Sequence, residues 1–196
     1  MSNYERVSAI VLSGGLSSRM GQDKCDLVFD GETLLNVQID KLKSIGINDI
    51  IASGYRGTNT KAKVVHDDIM KGPLSGILLG LKEIENDRAF VISVDVPLVR
   101  RTCIKKIIDY SFDKDLEMAM IRHNGNREPL MGVYKKSLIQ KIETVLSGDN
   151  YSVMRLADVA IHDFLDIDDD DKYFLNVNNK DDYNTLLKIN VKGGKL

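Results

Sequence analysis

The residues best suited to chemistry follow a short apolar run, Val7 to Leu12, near the start of the chain. The next stretch reads Ser13-Gly14-Gly15-Leu16-Ser17-Ser18-Arg19-Met20-Gly21-Gln22-Asp23-Lys24. Adjacent glycines let backbone N–H groups come close to an anion, and the cations Arg19 and Lys24 could neutralise phosphate oxygens. The spacing matches neither a Walker A motif nor a G-x-G-x-x-G fingerprint. The stretch predicts a phosphate-binding loop, whereas the glycine pair alone would fit an ordinary surface turn.

Two aspartates are further candidates. Asp95 directly follows the apolar run Ala89 to Val94, so its carboxylate is placed to hold Mg²⁺, which prefers carboxylate and phosphate oxygens. A turn or helix-cap aspartate before proline is the alternative. Asp67 precedes Gly72-Pro73-Leu74-Ser75-Gly76, whose glycines could let the backbone approach a ribose or base. A plain loop leading into a helix is the alternative there.

The elements around these residues alternate between strands and helices. Apolar, β-branched runs predict strands at Val7 to Leu12, Asp49 to Ser53, Lys63 to Val65, Ala89 to Val94, Glu117 to Ile121, Leu130 to Tyr134 and Ala160 to Leu165. Helical spacing predicts helices at Glu32 to Ile45, Pro73 to Ile84, Thr102 to Ser111, Lys136 to Leu146, Ser152 to Leu156 and Asp181 to Ile189. The alternation favours an α/β fold with a mostly parallel, twisted sheet and helices on both faces. Such sheets bind ligands at the carboxyl ends of their strands.

Composition excludes several classes of protein. The chain has 196 residues, 27 of them Lys or Arg and 29 Asp or Glu, so its net charge of −2 argues against a nucleic-acid binder. Cys25 and Cys103 form no zinc or disulfide pattern and fit a reducing cytosol. A polar N-terminus and the lack of any apolar run of about 20 residues predict no signal peptide and no membrane span. We expect one cytoplasmic domain, residues 1–196, without nucleic-acid or membrane partners.

Other polar groups are expected to be structural. The acidic run Asp166 to Asp171 predicts a solvated loop, with a metal site as the alternative. His66, His123 and His162 form no nucleophile–base pattern. Cys25 has no neighbouring histidine in the sequence, so we expect a small apolar residue rather than a nucleophile.

Several motifs together resemble the molybdenum cofactor guanylyltransferases, members of a nucleotidyltransferase superfamily that includes sugar-nucleotide pyrophosphorylases. The motifs occur in order between about Val7 and Asp182 and are Leu12 to Lys24, Gly72 to Gly76, Val94 to Pro97, Glu128 to Leu130 and Asn176 to Asn178. The glycine pair and Asp23-Lys24 are similar to the guanylyl branch, since the cytidylyl relatives tend to carry Ala-Ala-Gly and Asn-Lys there.

The resemblance implies a Rossmann-like nucleotidyltransferase fold in a single domain. GTP and Mg²⁺ would bind the half before about residue 100, and the pterin substrate the half after about residue 101. The implied reaction transfers GMP from GTP to the terminal phosphate of molybdopterin and releases pyrophosphate, with transient contact to cofactor-delivering proteins or apo-molybdoenzymes. A cytidylyl or sugar-1-phosphate nucleotidyltransferase is one alternative, and a non-catalytic nucleotide-binding protein of the same fold is another.

The resemblance also implies roles for particular residues. Arg19, Lys24 and Asp95 would be catalytic, the two cations by neutralising the triphosphate and Asp95 by ligating Mg²⁺. The nucleotide would contact Leu12, Ser13, Gly14, Gly15, Lys24, Asp67 and Asp95, and the pterin substrate would face Arg155, Asn176 and Asn178. The sequence departs from the family at Ser53-Gly54, where an Asn is common, and at Glu128, where His often precedes the proline.

Overall fold

The computed structural model describes residues 2–14 and 23–189, and these contain nine strands. The strands are Ser8–Leu12 (β1), Val28–Phe29 (β2), Glu32–Thr33 (β3), Ile50–Ser53 (β4), Lys63–Val65 (β5), Arg88–Ser93 (β6), Met118–His123 (β7), Asn126–Lys135 (β8) and His162–Ile167 (β9). Each of the seven predicted strands corresponds to one of these, with ends displaced by a few residues.

The helices of the same residues also follow the predictions. They are Leu34–Ser44 (α1), Pro73–Glu83 (α2), Arg101–Asp113 (α3), Ile139–Leu146 (α4), Val153–Ala157 (α5) and Lys180–Lys188 (α6). The predicted helix at Lys136 begins as a 3-10 turn, Lys136–Leu138, before α4. Gly46, with φ +100°, ends the first helix in the left-handed conformation that glycine adopts readily.

Seven strands form one sheet in the order β5-β4-β1-β6-β8-β7-β9. Adjacent strands pair in parallel except on the two sides of β8, so β8 alone runs against the others of this sheet. The sheet is therefore mostly parallel, as predicted. Leu12 pairs with both Ser53 and Ser93, which puts the carboxyl ends of β1, β4 and β6 side by side.

Helices cover both faces of the sheet. Residues of β1 are buried throughout and alternate between two hydrophobic clusters, with Ala9 and Val11 in one and Ile10 and Leu12 in the other. The first cluster includes side chains of α1, α3 and α6, and the second those of α2, α4 and α5. In the described residues, no helix is both long and apolar enough to cross a membrane.

Two tight hairpins differ from the predictions. Asn124 and Gly125 join β7 to β8, and Asp30 and Gly31 join β2 to β3, all four with positive φ. Positive φ at both central residues is the geometry of a type I′ turn, which Asn-Gly and Asp-Gly favour. The predicted polar loop before Leu130 is therefore mostly strand, and residues before Leu34 form a hairpin rather than helix.

Candidate functional site

The centre of the site lies at the carboxyl ends of β1 and β6. Strands of the sheet continue outward in opposite directions from this pair, a position where open α/β sheets commonly bind ligands. Ser13 follows β1, and both its N–H and its hydroxyl donate to the carbonyl oxygen of Ser53 at 2.9 Å. The N–H of Val94 donates to the carbonyl oxygen of Leu12 at 3.0 Å. The root of the predicted loop is thus fixed to both neighbouring strands.

Gly14 and Gly54 touch each other across β1 and β4. Gly54 has φ +84°, and a Cβ placed on it would lie 2.7 Å from the Cα of Gly14. A Cβ on Gly14 would lie 3.3 Å from the Cα of Gly54. Ser53-Gly54 stands where the resembled family often has Asn. The glycine has a structural role here, because a side chain at Gly54 would displace Gly14. The repeated Ser-Gly at the ends of the two strands was the available signal for this contact.

A short helical turn, Lys24–Asp26, places Lys24 beside the end of β1. Asp23 caps the turn by accepting the N–H of Cys25 at 3.0 Å. The Cys25 thiol donates to the carbonyl oxygen of Ser13 at 3.1 Å, and Asp26 accepts the Tyr55 hydroxyl at 3.0 Å. Burial raises the pKa of the Cys25 thiol, which agrees with the expectation that it is no nucleophile.

Lys24, Asp95 and Asn178 meet in space. The Lys24 amine lies 3.6 Å from Oδ2 of Asp95 and donates to Oδ1 of Asn178 at 2.8 Å, across 154 positions of sequence. The N–H of Val177 donates to the carbonyl oxygen of Asp95 at 2.8 Å. The side chains of Lys24 and Asp95 are 20% and 19% exposed, so a ligand can reach them. The structure thus brings together a residue predicted for the triphosphate, one for the metal and one for the second substrate.

The other carboxylate oxygen of Asp95, Oδ1, is buried and has no hydrogen-bond partner among the described residues. Leaving an anionic oxygen without a donor in a buried place costs free energy. A hard divalent cation would satisfy it. The described residues contain no group of three or more His, Cys, Asp or Glu side chains that could hold a metal. A cation at Asp95 would therefore take most of its oxygens from phosphate groups and water, as Mg²⁺ commonly does.

Asp67 lies after β5 and bonds to its own loop. Its Oδ1 accepts the N–H groups of Ile69 and Met70 at 3.1 and 3.0 Å. Its Oδ2 accepts the Ser75 hydroxyl at 2.6 Å, which ties the loop to the first turn of α2. The contact of Asp67 with the nucleoside stays a prediction. Its hydrogen bonds in the structure hold its own loop in place.

The remaining residues predicted for the pterin side lie at the surface. Arg155 on α5 is exposed and pairs with Asp158 at the end of the same helix, at 3.0 Å. Asn176 is exposed, and its amide donates to the carbonyl oxygen of Phe174 at 3.3 Å. Gly15 and Arg19 lie outside the described residues, so their predicted roles stay predictions.

Glu128 is a partly buried carboxyl group near Asp95. Between Met120 and Ile121 the pairing of β7 with β8 shifts, so that Ile121 pairs with Glu128 while Met120 pairs with Gly132. Burial raises the pKa of Glu128, the charge of Asp95 raises it as well, and His123 opposes them. The position that is often His in the resembled family therefore adds a second acid to this side of the site.

The acidic run is anchored rather than freely solvated. Asp169 is 7% exposed in its side chain and pairs with Arg100 at 2.5 Å. Asp171 contacts Nε2 of His123 at 2.8 Å, and the His123 ring stacks on Phe174 at 3.8 Å between centroids. The expectation of a plain solvated loop was wrong for Asp169 and incomplete for Asp171. These contacts fix the segment that leads to the turn carrying Asn178.

Sequence reasoning missed two buried polar residues, Gln38 and Lys41, which reach the turn of Asp95. The Gln38 amide donates to the carbonyl oxygens of Ser93 and Val96, and the Lys41 amine donates to that of Pro97. A signal was present, because both polar residues stand on the otherwise apolar stripe of the first predicted helix.

The chain is similar in sequence and in fold to known proteins. A probable molybdenum cofactor guanylyltransferase from Geobacillus sp. (strain WCH70) is 28% identical over 194 residues, which cover 93% of this chain and 98% of that protein. The crystal structure of molybdopterin-guanine dinucleotide biosynthesis protein A from Archaeoglobus fulgidus superposes with a TM-score of 0.78 at 18% identity, covering 93% and 98% of the two chains.

A more distant structure shares the fold as well. The 2-C-methyl-D-erythritol 4-phosphate cytidylyltransferase of Thermus thermophilus has a TM-score of 0.67 at 11% identity, covering 92% of this chain and 97% of that one. The family model that describes the MobA-like NTP transferase domain matches residues 9–161. The chain therefore belongs to the MobA-like NTP transferase family and is a nucleotidyltransferase.

Proposed function

We propose that the protein transfers GMP from GTP to the terminal phosphate of molybdopterin, yielding the guanine dinucleotide form and pyrophosphate. The meeting of Lys24, Asp95 and Asn178 at the ends of β1 and β6 carries the proposal, because it joins a cation, a buried carboxylate and an amide at one place. The named activity of the Geobacillus relative supports the choice of substrates, since the similarity extends over nearly the whole chain. The glycine pair after β1 favours the guanylyl over the cytidylyl pattern.

Mg²⁺ is the cofactor that this proposal requires, and Asp95 would hold it. Oδ1 of Asp95 has no hydrogen-bond partner among the residues that the structure describes, and this supports the role, because a cation there would satisfy a buried anionic oxygen. When bound, Mg²⁺ would draw negative charge from the phosphate oxygens and fix their orientation.

The residues of the site support this transfer without a protein base. The attacking oxygen belongs to a phosphate that is already an anion, so no side chain has to deprotonate it. A bond forms between that oxygen and the α-phosphorus of GTP, and the bond from the α-phosphorus to the bridging oxygen breaks. Pyrophosphate leaves with the electron pair. Lys24 neutralises charge on the phosphate oxygens during this exchange, and the site contributes chiefly by positioning the reactants.

Nucleotide binding tests the proposal directly. Purified protein is titrated with GTP, CTP, ATP and UTP, with and without Mg²⁺, and pyrophosphate release is then followed with molybdopterin present. We expect Mg²⁺-dependent binding that prefers GTP, followed by release of pyrophosphate. A preference for CTP would replace the proposal with a cytidylyl transfer, and binding without release would favour a non-catalytic nucleotide-binding protein.

A matched variant sharpens the titration. Asp95→Asn keeps the shape of the side chain but removes its negative charge. The Mg²⁺-dependent part of the affinity for GTP should therefore disappear, while the Mg²⁺-independent part remains. An unchanged response to Mg²⁺ would remove Asp95 from the metal site.

A further inference from the structure

The turn that carries Asp95 is held from inside the protein by two side chains of α1. Gln38 donates through Nε2 to the carbonyl oxygen of Ser93 at 3.3 Å and to that of Val96 at 2.9 Å. Lys41 donates through Nζ to the carbonyl oxygen of Pro97 at 2.5 Å. Asp95 thus lies within a short segment whose carbonyl groups before and after it are fixed by the same helix.

The spacing of these two residues on α1 makes the arrangement possible. Positions three apart on a helix lie on the same face, so Gln38 and Lys41 reach the turn together. Gln38 is 0% exposed and Lys41 3% exposed. Their neighbours on this stripe, Leu34 and Ile45, pack in the hydrophobic cluster between α1 and the sheet.

Burying these two polar groups carries a free-energy cost that apolar side chains would avoid. Oε1 of Gln38 is buried and has no hydrogen-bond partner among residues 2–14 and 23–189. Burial and the neighbouring Arg101 guanidinium lower the pKa of Lys41 to about 7. If the pair served only to stabilise the fold, leucine and methionine would serve better. The contacts of the two side chains with the turn therefore call for an explanation other than stability.

We propose that Gln38 and Lys41 are positioning residues, which hold the Ser93–Pro97 turn so that the Asp95 carboxylate faces Lys24 and can bind the metal of the reaction. This inference rests on the proposed function, because it assigns the pair a role in nucleotidyl transfer. Neither side chain is expected to touch substrate. Their effect passes through the backbone of the turn, where a displacement of about 1 Å can lower a rate by about 100-fold.

Two variants and one matched control test the pair. Gln38→Leu and Lys41→Met remove the donors and keep approximately the size of the side chains. Lys136→Met is the control, because the Lys136 amine also donates to a backbone carbonyl, that of Ile84, at 2.5 Å but near the amino end of β6. We expect kcat to fall at least about 10-fold in the first two variants and to stay within about 2-fold in the control.

The metal dependence separates positioning from a general loss of structure. The Mg²⁺ concentration for half-maximal rate should increase at least about 5-fold in Gln38→Leu and Lys41→Met, while KM for the pterin substrate stays nearly unchanged. Thermal unfolding is measured on the same samples to show that the variants are folded. Folded variants with the kcat and Mg²⁺ dependence of the natural chain would overturn the proposal.

Gln38→Glu supplies a readout that a passive core residue would not give. A protonated glutamic acid can still donate one hydrogen bond to the turn, whereas an ionised one only accepts and repels the carbonyl groups. We expect the activity of this variant, relative to the natural chain, to be retained at low pH and to fall as pH rises. A folded variant whose activity is equally low at every pH would overturn the proposal.

Direct metal binding distinguishes this proposal from the proposed function. Mn²⁺ binding in the presence of GTP is measured by calorimetry for the natural chain, Gln38→Leu, Lys41→Met and Lys136→Met. If the natural chain binds Mn²⁺ but transfers no GMP to molybdopterin, the function fails, and weaker Mn²⁺ binding in the first two variants still supports the positioning role. Equal Mn²⁺ affinity in all four proteins, or none in the natural chain, would overturn it.

Discussion

Two groups of predicted site residues lie in different surroundings. The convergent group, Lys24, Asp95 and Asn178, comes from distant segments and meets at one place. The local group, Asp67 and Arg155, bonds within its own segments, Asp67 to the loop after β5 and Arg155 to a neighbour at the end of its helix. All five residues have the right chemistry for a nucleotide or its acceptor, so the type of residue alone does not separate the groups.

The two groups differ in whether a side chain can bind a ligand without first losing other hydrogen bonds. Both oxygens of Asp67 already accept hydrogen bonds, which a ligand would have to replace. Oδ1 of Asp95 has no such bond to lose among the described residues. Substitutions in the convergent group should therefore lower the rate of transfer, and those in the local group should chiefly change stability.

The largest effect is expected for Asp95→Ala. Removing the carboxylate removes the proposed metal ligand, so the rate of pyrophosphate release should fall at least about 100-fold. The side chain is partly exposed and lies after the end of β6, so circular dichroism should show a folded protein. A folded variant with nearly natural rates would place Asp95 outside the reaction.

Lys24→Met should have the next largest effect. Loss of the cation should lower kcat/KM for GTP by about 10- to 100-fold, since one charge-assisted contact to the phosphates is lost. Lys63→Met is the control, because Lys63 forms an exposed ion pair with Glu83 at 2.6 Å outside the convergent group. If both substitutions lowered GTP turnover equally, the special role of the convergent group would be contradicted.

The close contact between Gly14 and Gly54 can be broken by Gly54→Ala. Gly31→Ala is a matched control, because Gly31 has φ +85° against +84° at Gly54 but, in the described part of the chain, nothing lies within 4 Å of its added Cβ. Both variants should lose about 1–2 kcal/mol of unfolding free energy through the strained φ. Gly54→Ala should lose more and also bind GTP more weakly, because its methyl group displaces Gly14. Equal losses in denaturant unfolding, with equal GTP affinity, would contradict the close packing.

Lys41 should make stability depend on pH. Its pKa is about 7 in the folded chain and about 10.5 when unfolded, so the unfolded state binds more protons between these values. The natural chain should therefore gain unfolding free energy relative to Lys41→Met by about 2 kcal/mol from pH 7 to pH 9. Arg101 and Cys103 face the same amine and are present in both proteins, so their own titration largely cancels in the difference. Parallel pH profiles in chemical denaturation would contradict a neutral amine at high pH.

The smallest effect is expected for Arg155→Ala. Its exposed ion pair with Asp158 should contribute less than about 0.5 kcal/mol to the unfolding free energy. The predicted pterin contact makes a separate claim, which KM for molybdopterin checks. A KM several-fold higher, at natural stability and natural GTP affinity, would move Arg155 from the local group to the substrate side.

The regular part of the fold could be predicted from the sequence, because periodicity reports which faces are buried. The strand that ends before Asp95 and the helix that ends at Gly46 are examples. The two hairpins were missed although Asp30-Gly31 and Asn124-Gly125 carry the dipeptides of a type I′ turn. In the first segment the helical spacing favours a helix, and in the second the polar residues favour a loop, so both patterns oppose the turn chemistry.

The site could be predicted only in part. Asp95 and Lys24 stand at strand and loop positions that imply ligand chemistry, and a resemblance suggested Asn178. The bond between Lys24 and Asn178 joins positions 154 apart, and no local pattern reports such a contact. Two further features also depend on how α1 and β4 pack against β1. They are the hydrogen bonds of Gln38 to the turn of Asp95 and the contact between Gly14 and Gly54.

The backbone bond from Val177 to Asp95 has a consequence for the order of biosynthesis. Four adjacent strands of the seven, β5, β4, β1 and β6, all lie before residue 94, so they are synthesised before the other three. Val177, which donates to Asp95, and Asn178, which accepts from Lys24, are synthesised much later. A growing chain that ends after β6 therefore still lacks the two residues that contact Asp95 and Lys24 in the finished site.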